Sequence, residues 1–375
     1  MTNFVRIYVA ACALLALTVA VGCVGCGGHA TPTTASATPT TTTTPPVLDK
    51  ALWVANGANV VEFVPSQLAA GTADPAPQEA INSTVFGAPQ GVTFDAGGDL
   101  WVIDGGTVAA GGTIPPALYE FSNAQLEALD TVNNPAPNVT IKSTSFTFPQ
   151  QAVFDSAGNL WVSDNGSNAV FVFTPAQLGA TNLTATPNIS ITSSVAFSGP
   201  LGIAFDASGD LFIANNGGTS IERFDASILP TSAGAHTLTP SAVISDDGKG
   251  SLQAPWALAF DAAGDLWSSN ANAPNTLVEF TPSQLATTGT PTPAITLSSV
   301  AFDTNQTLVA PNGIAFDNLG DLAAASSAAP FGIADFAQRQ LVPTTAAGPT
   351  PTTFLVGTTT TLNAPAGVVF GPVIK

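Results

Sequence analysis

Six copies of one motif, spaced nearly evenly and each carrying four short extended segments, predict an all-β chain: a six-bladed β-propeller of four-stranded antiparallel blades. The copies register on Pro89, Pro149, Pro200, Pro255, Pro311 and Pro365, at spacings of 60, 51, 55, 56 and 54 residues. A long, fixed period of this kind marks a repeat architecture. The third observation comes from the two ends: Ala51–Val54 begins at a second strand, whereas Ala364–Phe370 supplies a first strand. Joined, they complete a sixth blade, so an innermost strand from the C-terminus is expected to close the ring.

The copy beginning at Pro149 shows each element. Ala152–Phe154 is a first strand, Asp155–Asn159 a turn and Leu160–Ser163 a second strand, because apolar, β-branched and aromatic runs bounded by Gly, Asn and Asp pair as hairpins. The turn recurs as Asp95–Asp99, Asp206–Asp210, Asp261–Asp265 and Asp317–Asp321, with a glycine in fourth place where the backbone needs positive φ. A third strand follows at Val170–Phe173, matched by Val60–Phe63 and Leu277–Phe280. Then comes Thr174–Leu178, echoed at Thr281–Leu285 and Val64–Leu68. An N-cap Thr, Pro at the first helical position and Gln two residues later predict one capped helical turn, although the Val64 copy lacks the capping hydroxyl. Fourth strands are expected at Asn188–Thr192, Asn138–Ile141 and Ala294–Leu297, after connections rich in Pro, Thr and Asn. Trp53, Trp101, Trp161 and Trp267, with Phe212, share one repeat position and are expected between blades. Ala323 stands there in the fifth full copy, which should be the least well packed or hold a cavity.

Pro89–Val102 reads Pro-x-Gly-hydrophobic-x-Phe-Asp-x-x-Gly-Asp-Leu-Trp-Val. In this signature the chain resembles the six-bladed propellers of the NHL-repeat and gluconolactonase-like type, over about residues 51–375. That resemblance implies the fold. The scaffold carries lyases, lactonases and pure binding modules, so activity has to be argued from site residues.

Met1–Gly22 carries one basic residue, Arg6, and an apolar run from Val9 to Val21, the layout of a secretory signal peptide. It ends Ala20-Val21-Gly22-Cys23, which resembles a bacterial lipobox and implies a lipid on Cys23. A plain signal peptide or an uncleaved anchor competes with this; the apolar run is shorter than the roughly 20 residues that span a bilayer. Residues 23–50 are rich in Thr and Pro and are expected to be a flexible tether. Residues 51–375 are expected to form one domain, since repeat folds grow by adding units. Cys12, Cys23 and Cys26 all precede it, so the propeller has neither disulfide nor thiol chemistry. The expected location is extracytoplasmic, as a membrane-anchored lipoprotein or a secreted protein.

Seven Lys and Arg stand against 25 Asp and Glu, a net charge of -18. Binding to nucleic acid rests on cationic side chains that neutralise phosphates, so it is excluded as a function class. Such acidity favours solubility and repels anionic surfaces. Membrane contact is therefore expected only through the N-terminal lipid, and a monomer is expected.

In a propeller the first strand lines the central channel, and the loops before it and after the second strand share one face. Those positions are Gln90, Gln150, Leu201, Trp256, Asn312 and Ala366, together with Asn56, Asp104, Asp164, Asn215, Asn270 and Ser326. Five of the latter six are Asn or Asp, which fits either a ring of oxygen ligands suited to Ca²⁺ or simple turn residues. The gluconolactonase-like resemblance implies a divalent metal at the channel mouth, held by one Glu, Asn side chains and an Asp. Asn312, in Pro311-Asn312-Gly313, matches that motif; Asp104 and Asp164 correspond by position; no Glu stands at the start of any first strand. The paired aspartates of the turns recur too regularly for an active site and are expected to be structural.

Histidine is the commonest acid/base catalyst, and only His29, in the tether, and His236, in the loop Pro230–Pro240, exist. The channel histidine that a streptogramin-lyase relative would need is absent, and no serine sits in a Gly-x-Ser-x-Gly context. The function expected is non-catalytic binding or scaffolding of a protein, glycan or small molecule. Its surface would be the channel mouth or a third-to-fourth-strand connection such as Leu126–Asn138. The competing expectation is a Ca²⁺-dependent lactonase-like hydrolase with Asn312, Asp104 and Asp164 at the metal.

Overall fold

A computed structural model describes residues 49–69, 75–109, 112–129, 134–298, 310–328, 331–343, 349–356 and 362–373. The segment expected to be a signal peptide, Cys23, His29 and nearly all of the expected tether lie outside the described residues. The fold is a six-bladed β-propeller. The first blade pairs Pro89–Phe94, Leu100–Asp104, Ala117–Phe121 and Val139–Lys142 in that order, and the next four blades repeat the arrangement from Pro149, Pro200, Pro255 and Pro311. In the sixth, Pro365–Gly371 lies innermost against Ala51–Asn56, with Leu52 opposite Phe370 and Val54 opposite Val368. The chain ends thus close the ring, as the complementary half-copies predict.

Local chemistry explains each element. In the Asp95 turn one carboxylate oxygen, Oδ1, accepts the Gly97 and Asp99 N–H groups at 2.8 and 3.0 Å, while Gly98 takes φ +82°. Asp155, Asp206, Asp261 and Asp317 do the same in their blades. The other oxygen accepts the next strand's indole N–H where a Trp is present, at 2.8 Å for Trp161 and Asp155. The aspartates expected to be structural therefore close the turn and fix the tryptophan. Helical turns form at Pro65–Leu68, Asn123–Leu126, Pro175–Leu178 and Pro282–Leu285. Even Val64 is capped, because Gln67 Oε1 accepts its N–H at 2.9 Å while Gln67 Nε2 donates to the Ala76 carbonyl. The glutamine, more than the capping hydroxyl, ties the helical turn to the following connection.

Packing between blades uses the shared aromatic position. Trp53 on Phe94, Trp101 on Phe154, Trp161 on Phe205, Phe212 on Phe260 and Trp267 on Phe316 all meet edge to face, 5.2 to 6.2 Å apart. Such pairs contribute about 0.5–1.5 kcal/mol each beyond their buried area. Ala323 is buried in one cluster with Ala315, Val368 and Phe370, so this repeat position carries no ring of its own to meet Phe370 at the fifth-to-sixth interface.

Two expectations are corrected by tertiary pairing. The observed fourth strands, Val139–Lys142, Ile189–Ser193 and Ile295–Ser298, begin one residue later than the composition of the preceding connection suggests. The loop holding His236 is in part a strand: Gly234–Leu238 lies parallel to Ile189–Ser193, on the outer edge of the neighbouring blade. Asn182 and Gly289 make shorter versions of the same overlap, each bridging to the previous blade's outermost strand. These overlaps cover sheet edges that would otherwise expose unpaired backbone groups.

Candidate functional site

Each second strand ends at the channel-mouth face, and its last side chain turns into its own blade. Asp104 accepts the Gly87, Ala88 and Gly106 N–H groups at 2.9, 3.1 and 2.7 Å. Burial nevertheless raises its pKa above the usual carboxylate value, against the lowering effect of those three donors. Asp164 accepts the Thr147, Phe148 and Ser167 N–H groups at 2.9, 3.1 and 2.9 Å. Asn56 Oδ1 takes the Asn363 N–H at 2.5 Å, Asn215 Oδ1 the Ser198 N–H at 3.3 Å and Asn270 Oδ1 the Gln253 N–H at 2.9 Å. The structure thus brings all five to equivalent places in the ring, where they bind the segment leading into the innermost strand; Ser326 holds the sixth such place and donates instead to the Ala328 carbonyl at 3.3 Å.

Asn312 lies elsewhere, second in its innermost strand and half-buried, with its carbonyl accepting from Ser269 Oγ of the previous blade at 2.5 Å. Ser163 Oγ reaches the Leu201 carbonyl in the same way. At the other second positions Gln150, Leu201, Trp256 and Ala366 are buried, and Leu201, Trp256 and Ala366 belong to one apolar cluster. Gln150 Nε2 is buried there without an acceptor among the described residues.

One residue further in, the strands nearly touch. A Cβ on Gly91 would meet the Gln150 carbonyl at 2.5 Å, and one on Gly202 the Trp256 carbonyl at 2.8 Å. The space left between Gly91, Gln151, Gly313 and Gly367 is about 30 Å³, room for a water or two.

The larger concavities are on the opposite face, where the Asp turns lie. A groove of about 610 Å³ runs between the second and third blades, over Trp161, Val172, Ile189, Phe205 and Leu229. Another of about 530 Å³ runs between the first and second blades, with Trp101, Phe154 and Leu178 as floor and Asp95, Asp99 and Glu120 at one side. Asp155 and Ser156 border both.

Sequence reasoning missed an acidic position on this face, the residue before the last Phe of the third strand. It is Glu62, Glu120, Glu279 and Asp335 in four blades, Val172 in the second and Arg223 in the third, each paired across the sheet with the shared Trp, Phe or Ala position. Burial, and then repulsion from Asp265 and Asp261, push Glu279 up to about 7; burial, Asp321 and Asp317 do the same to Asp335. The recurrence of an acid before Phe was the available signal.

Among the described residues His236 is the only histidine, and it lies at the rim with Nε2 3.0 Å from the Ser232 carbonyl. No helix among the described residues is long and apolar enough to cross a membrane.

No family model matches the chain, and no curated protein matches it. Among solved structures it is similar to a protein of unknown function from Bacteroides caccae, at 8% identity over 86% of this chain and 99% of that one, with a TM-score of 0.56. A putative 6-phosphogluconolactonase from Bacteroides uniformis aligns at 12% identity over 87% and 83%, TM-score 0.47. Virginiamycin B lyase from Staphylococcus aureus aligns at 17% identity over 68% of each chain, TM-score 0.40. The first likeness shows the fold, and the other two are too distant to carry an argument. Fold and site together define a six-bladed β-propeller whose axis is closed and whose two larger grooves lie between blades, with a smaller one of about 290 Å³ beside Asn56 and Asn363 on the mouth side of the sixth blade.

Proposed function

We propose that this chain is a non-catalytic extracytoplasmic binding propeller of the NHL-repeat type, delivered by its N-terminal segment and anchored through Cys23. Its ligand lies in the paired grooves flanking the second blade. The observation that carries this reading is the disparity in space, about 30 Å³ on the axis against about 610 and 530 Å³ in the grooves. Ligand sites generally need about 300–1,000 Å³ with an apolar floor and a few polar groups, which the grooves supply. At the mouth the oxygens of Asp104 and Asp164 are already committed to three backbone donors each, which argues against their use on a metal.

The groove chemistry narrows the ligand. Carboxylates border both grooves and neither is lined by Lys or Arg, so the field favours an uncharged or cationic chain segment over a phosphorylated one. Ser156 is exposed, borders both grooves and is the place to block them. An array of neutral and amino-sugar glycans and of Lys-containing peptides, probed with the purified protein and its Ser156→Arg variant, tests this. Binding that falls at least about tenfold in the variant is expected, since a charged side chain would fill a desolvated contact. Binding indifferent to Ser156→Arg, or lactone hydrolysis abolished by Asn312→Ala, would overturn it.

A further inference from the structure

The fourth blade gathers three carboxylates, Asp261, Asp265 and Glu279, with a ligand oxygen of each within 4.8 Å of the others. Glu279 is 7% exposed, and among the described residues no donor reaches either its carboxylate or that of Asp265. The other full blades show how the same position is otherwise managed. In the first, the Asn123 N–H donates to Asp99 at 2.7 Å and the Asn138 amide to Glu120 at 2.7 Å. The second has Asn159 for the turn's last aspartate and Val172 for the acid, so only Asp155 is charged. In the fifth, the Gln338 N–H donates to Asp321 at 2.7 Å.

The third blade is the most informative. There Arg223 holds the position of Glu279, and its guanidinium reaches Asp210 Oδ2 at 2.7 Å through Nη2 and 3.1 Å through Nε. A cation therefore lies at this place in the repeat, built into the chain. The fourth blade has lost every such compensation at once. Pro282 opens its helical turn and has no N–H to give Asp265, and Ala294 stands where Asn138 serves Glu120.

We infer that Asp261, Asp265 and Glu279 form a calcium site on the turn face of the fourth blade, with the bound ion in the role that the Arg223 guanidinium has in the third. Three carboxylates and no nitrogen or sulfur ligand suit a hard divalent cation. Two oxygens bound to one Ca²⁺ at about 2.4 Å lie no more than about 4.8 Å apart, and each pair in the cluster meets that bound, so a small inward shift of the carboxylates would seat the ion. Asp261 Oδ1 keeps its two turn N–H groups while Oδ2, which takes the Trp267 indole at 3.3 Å, is the more available oxygen. Asp261 and Asp265 are only half-buried, so water can complete the coordination shell. This site is on the face opposite the channel mouth and does not depend on what occupies the grooves.

The test uses the purified protein stripped with EGTA. Terbium should give saturable emission sensitised through Trp267, whose indole N–H lies 3.3 Å from Asp261 Oδ2, and calcium should displace it. Asp265→Asn and Glu279→Gln should abolish that emission, and Asn312→Ala should leave it intact. Thermal unfolding separates ion binding from simple relief of repulsion. Glu279→Gln should raise Tm in EGTA by removing one carboxylate from the cluster, yet gain nothing more from calcium, whereas the wild type gains a saturable increment. Equal calcium increments in the two proteins, no increment in either, or terbium emission that survives both substitutions would overturn the proposal.

Discussion

Gly367→Ala probes the closed axis on which the functional reading depends. A Cβ at Gly367 would come 2.7 Å from the Gln90 carbonyl oxygen and 2.7 Å from Gly91 Cα, both backbone atoms of the first blade's innermost strand. Ordinary contact for such atoms is about 3.5–4.0 Å, so one strand has to move by roughly 1 Å. It cannot do so alone. Pro365–Gly371 is paired with Ala51–Asn56 on one side, and on the other a Cβ at Gly313 would already strike the Ala366 carbonyl. Overpacking costs about 1–3 kcal/mol, and confinement between backbones puts this substitution near the upper end, about 3 kcal/mol. That is a sizeable part of the 5–15 kcal/mol typical of a folded domain. Gly289→Ala is the control, since nothing lies within 4 Å of its added Cβ, and it should stay within about 0.5 kcal/mol of wild type. Urea unfolding followed by tryptophan fluorescence measures both. Equal free energies for the two variants would refute the close packing at the axis, and with it the argument that moves ligands out to the grooves.

Ala254, Ala310 and Ala364, each just before a blade's first proline, adopt φ values of +50°, +48° and +53°. Left-handed backbone costs a non-glycine residue about 1–2 kcal/mol, and glycine gives back roughly half of that through its freer unfolded chain, so Ala254→Gly should raise stability by about 0.5 kcal/mol. A lower urea midpoint for that variant would contradict the strain argument. The folded state pushes Asp335 up to about 7 from an unfolded value near 3.9, so the native protein holds this proton more tightly. Its contribution is complete below about pH 4, is lost as pH rises to about 7 and stays constant above. In EGTA at pH 8 Asp335→Asn should therefore be more stable than wild type by on the order of 2–4 kcal/mol, with little difference at pH 4. A difference that does not change with pH would sink it.

Legibility in the sequence followed the range of the interaction. The Asp turns and the capped helical turns rest on residues a few positions apart, and the aromatic shared between blades recurs at one place in the repeat, so each was readable as a pattern. The role of the strand-end residues was not. Asp104 and Asp164 have the side chains of metal ligands or of turn residues alike, and only the approach of the 87–88 and 147–148 backbone reveals where their lone pairs go. The acidic position before the third-strand Phe was visible as a recurrence, but its consequences depend on Pro282 and Ala294, which reach Asp265 and Glu279 only when the blade folds.

By itself the sequence determined the number of blades, the order of strands within them and the closure of the ring by both ends, because periodicity and turn chemistry are local and repeat. Only the tertiary structure decided that Gly234–Leu238 joins a neighbour's edge, that the channel is shut and that the two larger grooves lie between blades. Those outcomes depend on how closely backbones from residues tens to hundreds of positions apart approach, a quantity set by the ring as a whole.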